Sequence, residues 1–245
     1  MCGFWGRGDG DDQGAWAVNI AALTKQAQSV TDVMSKCRIQ GFDLSKLTME
    51  SKIPFKALCY REVMLARTVE LAKSAVDGLT KKRLVVASTL TRSAMESMAK
   101  AHELQRLLDG FVLAPDIRKL DESLMTLLFG SRNNSDLPTP TSILTAVDKT
   151  EKLIPGFRGN YDRLSELTHP NYLGGMGAFT TVDRVNHRVE FSKLERKLPA
   201  LEMTANILIG TLDGFTVFYK HVGETIEMIH TMFENGLIGA GQNAN

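Results

Sequence analysis

The sequence predicts an all-α protein, a helical bundle carrying one small β-hairpin, and three observations predict it. Apolar residues recur at spacings of three and four through most of the chain, the period of a helix with one buried face. From Leu201 to Phe233 the positions Leu201, Ala205, Leu208, Leu212, Phe215, Tyr219, Val222, Ile226, Ile229 and Phe233 alternate steps of four and three without a break. That is the seam of long helices packed side by side. Only after Pro170 does the character change: NYLGGMGAF is rich in glycine, and the β-prone runs FTTVD and HRVEF flank Arg184-Val185-Asn186, which predicts a hairpin.

The elements follow in order. Residues 1–14, with their Gly and Asp, read as a flexible tail, and a first helix runs from Ala15 to Arg38. The linker from Gly41 to Pro54 holds a short turn at Asp43-Leu44-Ser45. A second helix covers Phe55 to Val76 and stops at Asp77-Gly78, since glycine suits a left-handed stop. Thr80 then caps a third helix that reaches Asp109-Gly110. Its first turns (Leu84, Val85, Val86, Ala87) are apolar nearly all round, the mark of a helix touched from several sides. A fourth helix spans Ala114 to Phe129, GSRNNSDLP is a polar loop, and Thr139-Pro140 starts a fifth helix that ends at Leu153. Pro155-Gly156 breaks it, and a short helix follows from Asn160 to Thr168. The last helix begins near Pro199, and residues 237–245, ending in GAGQNAN, close the chain as a tail. Between the tails, residues 15–236 read as a single helical domain. The seam of the last helix fits a contact inside one bundle, with a contact between two copies as the alternative. Asp213, Lys220 and His221 interrupt it as a membrane span.

Composition narrows the function. The 245 residues hold 29 Lys plus Arg against 28 Asp plus Glu, a net charge of +1. There is no global basic field to drive nucleic-acid binding, so such a role needs a local patch. Arg184, His187, Arg188 and Lys193 make the hairpin region locally basic, while Lys81-Lys82-Arg83 reads as a solvated cluster. The three cysteines, Cys2, Cys37 and Cys59, are far apart and in no metal-ligand spacing, which reads as a reduced, cytoplasmic protein. The first residues lack the apolar core of a signal peptide. Nucleotide loops, HExxH and GxSxG are absent from the sequence, so no cofactor or metal is expected. Met95, Met98, Met125 and Met176 read as core fillers.

Two constellations carry candidate chemistry. In TRSAMESMAK, Arg92 and Glu96 stand one turn apart among small residues, as a half-buried ion pair, the wall of a polar pocket or a plain surface pair. In YDRLSELTHP, Tyr161, Ser165 and His169 share one stripe, and Arg163 lies six residues ahead of His169. On an ideal helix those two are about 120° apart. Pro170, however, pushes His169 out of the helical region and lets it swing.

The long helix with RSAMESMAK, then YDRLSELTHP and a glycine-bearing segment, resembles HEPN proteins (higher eukaryotes and prokaryotes nucleotide-binding). More narrowly it is similar to a bacterial group of helical proteins with an R-x-x-x-E helix and a Y-x-x-L-S-x-x-x-H-P helix end. The resemblance covers Cys59 to Phe191, with its firm motifs in some twenty residues. It implies metal-independent RNA cleavage of the toxin or phage-defence type, in which His169 is general acid/base and Arg163 steadies charge on the phosphate. It also implies a homodimer that completes the site, RNA as substrate and a neutralising protein partner. Leu164 departs from the polar residue that follows this arginine in active members. The alternative is therefore a non-catalytic module binding a ligand or partner through Arg92, Glu96, Tyr161, Ser165 and His169, or the same residues as a packing network.

Overall fold

A computed structural model describes residues 10–41, 51–183, 185–191 and 197–238, and the backbone alone for residues 10–18. The described residues form helices α1 (Gly10–Lys36), α2 (Ile53–Thr80), α3 (Leu84–Leu113), α4 (Ile117–Phe129), α5 (Ile143–Leu153) and α6 (Phe157–Thr168). A π-helical turn, Leu173–Gly177, follows, then strands β1 (Thr180–Asp183) and β2 (Arg188–Phe191) and helix α7 (Leu198–Glu234). This is the all-α bundle with a hairpin insertion that the periodicity predicts.

The chain divides into two compact units, each discontinuous in sequence. The first gathers Met1–Val33, Val69–Met95 and Gly156–Asp213, and the second Met34–Thr68, Glu96–Pro155 and Gly214–Asn245. Four of the boundaries fall inside α1, α2, α3 and α7, and the fifth falls at Pro155-Gly156 between α5 and α6.

In the second unit, the start of α2, the end of α3, α4 and the end of α7 enclose a core around Tyr60, Leu108, Phe111, Leu124, Ile226 and Phe233. Phe111 and Phe233 stack with ring centroids 6.3 Å apart. Asp116 caps α4 by accepting from the Lys119 N–H at 2.9 Å. Arg61 lies 3.5 Å above the centre of the Tyr219 ring and also donates to the Tyr219 carbonyl at 3.0 Å, while the Tyr219 hydroxyl donates to Glu62 at 2.7 Å. Tyr219 is thus the one seam position that is half-buried, its ring held by a cation. Ile238 packs onto this core, so the C-terminal tail does not begin as early as residue 237.

The first unit packs on small side chains. Ala27, Ala72, Ala75, Ala87, Ala94 and Ala205 are fully buried. Three of its buried hydroxyls are met by their own helices: Thr31 donates to the Ala27 carbonyl, Thr204 to Ala200 and Thr211 to Ile207, each at 2.7 Å. Ser88 and Thr204 are 3.1 Å apart across α3 and α7.

Several boundaries differ from expectation. Helix α1 already runs at Gly10, so residues 10–14 are not tail, and residues 1–9 lie outside the described residues, as do the turn at Asp43-Leu44-Ser45 and residues Arg184 and Lys193. Helix α2 passes straight through Asp77-Gly78. A side chain at Gly78 would meet the Ala87 backbone nitrogen at 3.2 Å, so the glycine serves close approach of α2 and α3 rather than a stop. Thr80 caps nothing ahead of it; it ends α2 and donates back to Val76 at 2.8 Å. The turn is made by Lys82, at φ 54. Thr139-Pro140 stays outside α5, which starts three residues later behind Ser142, because Pro140 packs against Gly130. Val86 and Met176 are exposed rather than core.

Two predictions follow from this packing. Phe215 is buried in the α7 seam, and Phe215→Ala should cost about 3–5 kcal/mol in denaturant unfolding. His102, on α3, is buried and stacked on Phe218. The Thr150 hydroxyl donates to the Ala146 carbonyl, so it accepts from His102 Nδ1–H at 3.0 Å. Burial first, then the charge of Arg106, hold this imidazole below its ordinary value of 6.5. A depressed histidine takes its proton more readily when unfolded. Stability should therefore be flat in this group above pH 6.5 and fall as pH drops below it, by up to about 1.4 kcal/mol per pH unit. His102→Gln should flatten that part of the slope between pH 7 and 5; an unchanged slope would clear His102.

Candidate functional site

Helix α6 is the element on which the motif residues sit. Gly156, at φ 91, opens it where a side chain would be strained. Phe157, Tyr161, Leu164 and Leu167 form its buried face. Within the first unit, α3 holds this face by polar contacts as well. The Arg92 guanidinium donates to the Tyr161 hydroxyl at 2.8 Å and lies 4.9 Å from the ring centre. Three residues earlier on α3, the Thr89 hydroxyl is 3.5 Å from that of Thr168. Tyr161 is only 2% exposed, so its hydroxyl is committed to packing. Ser165 donates to the Tyr161 carbonyl at 2.8 Å. Glu96 is half-buried one turn beyond Arg92 on α3 and belongs to the second unit.

Arg163 and His169 have a different setting. Both are exposed. Among the described residues the Arg163 guanidinium reaches the Asn160 side-chain oxygen alone, at 3.5 Å. His169 caps α6 in extended backbone, φ −78 and ψ 145, with its N–H on the Ser165 carbonyl, as Pro170 demands. Among the described residues its ring makes no hydrogen bond and no ion pair. On the arc between the two lie Asp162 and Glu166. Each is already engaged: Asp162 takes both oxygens to Arg158 at 3.0 Å, and Glu166 accepts from the Asn171 amide. Leu164 is fully buried, so that position belongs to the core.

The segment after Pro170 is built onto the end of α6. The Asn171 side-chain oxygen accepts from the Gly174 N–H at 3.1 Å, and the Tyr172 carbonyl from the Gly177 N–H at 2.7 Å, the wide bond of a π-turn. A Cβ on Gly174 would lie 2.0 Å from the His169 carbonyl oxygen and 2.7 Å from that of Leu167. Only glycine allows the turn to sit on the helix end, and through it the backbone of His169 is fixed. The sequence pointed to glycine richness here but not to the π-turn.

Sequence reasoning also passed over three aromatic residues beside this turn, Tyr172, Phe179 and Phe191, which are exposed. Period-two reading of HRVEF sets Phe191 and Val189 on one face, whereas Tyr172 and Phe179 lie outside the strands and carry no such signal. Among the described residues no group of three or more His, Cys, Asp and Glu is placed to hold a metal ion, and no helix is long and apolar enough to cross a membrane. No protein-family model matches the chain, and no curated protein or solved structure does so either.

Gly174→Ala tests the seating of the turn. It should lower stability by about 1–3 kcal/mol, as overpacking does, and speed amide exchange at Gly175 and Gly177 first. Unchanged protection there would mean that the close approach is not required.

Proposed function

We propose that the chain is a HEPN-like endoribonuclease of the toxin or phage-defence type, metal-independent, cytoplasmic, and working as a homodimer under a neutralising protein partner. His169 is the general acid/base and Arg163 the phosphate stabiliser. The observation that carries this reading is a division of labour. Arg92, Tyr161 and Ser165 are occupied in packing, whereas Arg163 and His169 are exposed on one helix end, with the nearby carboxylates of Asp162 and Glu166 drawn off by Arg158 and Asn171.

Those residue types suit the chemistry. A neutral imidazole accepts the proton of a ribose 2′-hydroxyl as that oxygen attacks the adjacent phosphorus. The 5′-oxygen leaves, taking a proton, and a 2′,3′-cyclic phosphate remains. A guanidinium presents paired N–H donors to the phosphate oxygens, where negative charge grows in the transition state. The rival, a ligand pocket using Arg92, Glu96, Tyr161, Ser165 and His169, is weaker, because the Tyr161 hydroxyl already accepts from Arg92 and the Ser165 hydroxyl is spent on a backbone carbonyl.

The test is cleavage of RNA by purified protein in the presence of a chelator. His169→Ala should lower the rate about 10²–10⁴-fold and Arg163→Ala about 10²–10³-fold, with circular dichroism unchanged. A folded wild type that cuts no RNA, or variants that cut as well as wild type, would overturn the reading.

A further inference from the structure

We propose that the open aromatic face formed by the π-turn and the hairpin is a binding platform for single-stranded RNA, stacking unpaired bases on Tyr172, Phe179 and Phe191 beside His169. The proposal rests on the endoribonuclease reading and adds the form of substrate that the site takes.

The first observation is the sidedness of the hairpin. Its register pairs Thr180 with Phe191, Thr181 with Glu190, Val182 with Val189 and Asp183 with Arg188. Opposed residues share a face and successive pairs alternate. One face therefore carries Thr180, Val182, Val189 and Phe191, and the other Thr181, Asp183, Arg188 and Glu190. A surface hairpin ordinarily turns its apolar face inward. Here the apolar face is open, with Val182 47%, Val189 48% and Phe191 76% exposed, while Thr181, Asp183 and Glu190 on the polar face are half-buried.

The second observation is continuity with the helix end. Pro170, Tyr172, Met176 and Phe179 join Thr180 and Phe191 around an open depression of about 690 Å³. Tyr172 is 72% exposed. Pro170 is bonded to His169, so the depression begins one residue from the proposed acid/base.

The third observation is charge. The Lys197 ammonium sits 4.7 Å from the centre of the Phe179 ring, and Arg163, on the adjoining helix α6, is exposed. The Asp183 carboxylate is turned back on the hairpin loop, accepting from the Val185 and Asn186 N–H groups at 3.0 and 3.1 Å. Flat apolar rings with a cation beside one of them match a strand that presents bases and phosphates together, since every base has a face that stacks on an aromatic ring.

The chemistry selects the single strand over the duplex. Attack by a 2′-oxygen needs that oxygen, the phosphorus and the leaving 5′-oxygen in line. Stacked A-form geometry holds them out of line, so the nucleotide must leave the stack before it reacts. Rings next to His169 replace the stacking that the nucleotide gives up.

The experiment is fluorescence anisotropy with a labelled mixed-sequence oligoribonucleotide carrying 2′-O-methyl groups, which binds but cannot be cut. It is used alone and annealed to its complement. The single strand should bind at least about tenfold more tightly than the duplex. Tyr172→Ala and Phe191→Ala, both at exposed positions, should each weaken binding about 5- to 150-fold. Tyr172→Phe should restore it, and Val182→Ser and Val189→Ser should change it little. Equal affinity for the duplex, or alanine variants that bind like wild type, would overturn the proposal. So would valine variants that weaken binding as much as the aromatic ones while shifting sedimentation, which would mark the face as a contact between copies. The two readings fail separately. Cleavage by wild type that is indifferent to Tyr172 and Phe191 removes the platform and leaves the nuclease. Binding through the rings with no cleavage of ordinary RNA removes the nuclease and leaves the platform. No RNA binding removes both.

Discussion

Helix α7 carries a buried stripe along its whole length, and both compact units are built on it. Leu201, Ala205, Leu208 and Leu212 are fully buried in the first, and Phe215, Val222, Ile226, Ile229 and Phe233 are 5% exposed or less in the second. Most of what holds this 37-residue helix is the apolar area that leaves water along this stripe. The stripe is covered by the chain's own residues, so the seam is intramolecular. Any second copy must dock elsewhere.

Both units bury leucine and isoleucine, and the first adds a larger share of alanine, which brings backbones near one another. Buried hydroxyls would be costly if left without partners. Thr31, Thr204 and Thr211 avoid that cost by donating to the carbonyl four residues back on their own helix, which demands nothing of a neighbour. Arg92 and Tyr161 follow another logic, because their contact joins α3 to α6 and its geometry is fixed by both. That contact sets where α6 lies, and so where its exposed edge presents Arg163 and His169.

Periodicity was enough to read the helices, the seam and the hairpin, because each of these depends on which face is buried and the side-chain spacing states that directly. Helix ends were less legible. Gly78 and Thr139-Pro140 look like punctuation, but their meaning comes from residues distant in sequence: Ala87 opposite Gly78, and Gly130 against Pro140. No local rule contains those contacts. Of the candidate site, the sequence supplied all six named residues and even the exit of His169 from the helix, which Pro170 dictates. It could not sort them. Tyr161 and Ser165 share a helical stripe with His169, yet the first is buried under Arg92 and the second bonds its own backbone. The π-turn was hidden for a similar reason, since it depends on Gly174 lying close against the carbonyls of Leu167 and His169.

That turn also explains why the end of α6 is a sound place for chemistry. A helix that stops at a proline leaves its last carbonyls without intrahelical partners, and such ends are usually frayed. Here Gly174 seats the following turn on the carbonyl end of α6, and Asn171 ties that turn both to itself and to Glu166. His169 is thereby exposed at its side chain and fixed at its backbone. Beyond the turn the chain enters the hairpin, whose apolar face is open, and a surface of that kind is costly to leave exposed to water. The close seating of the turn on α6 itself depends on the absence of a side chain at Gly174.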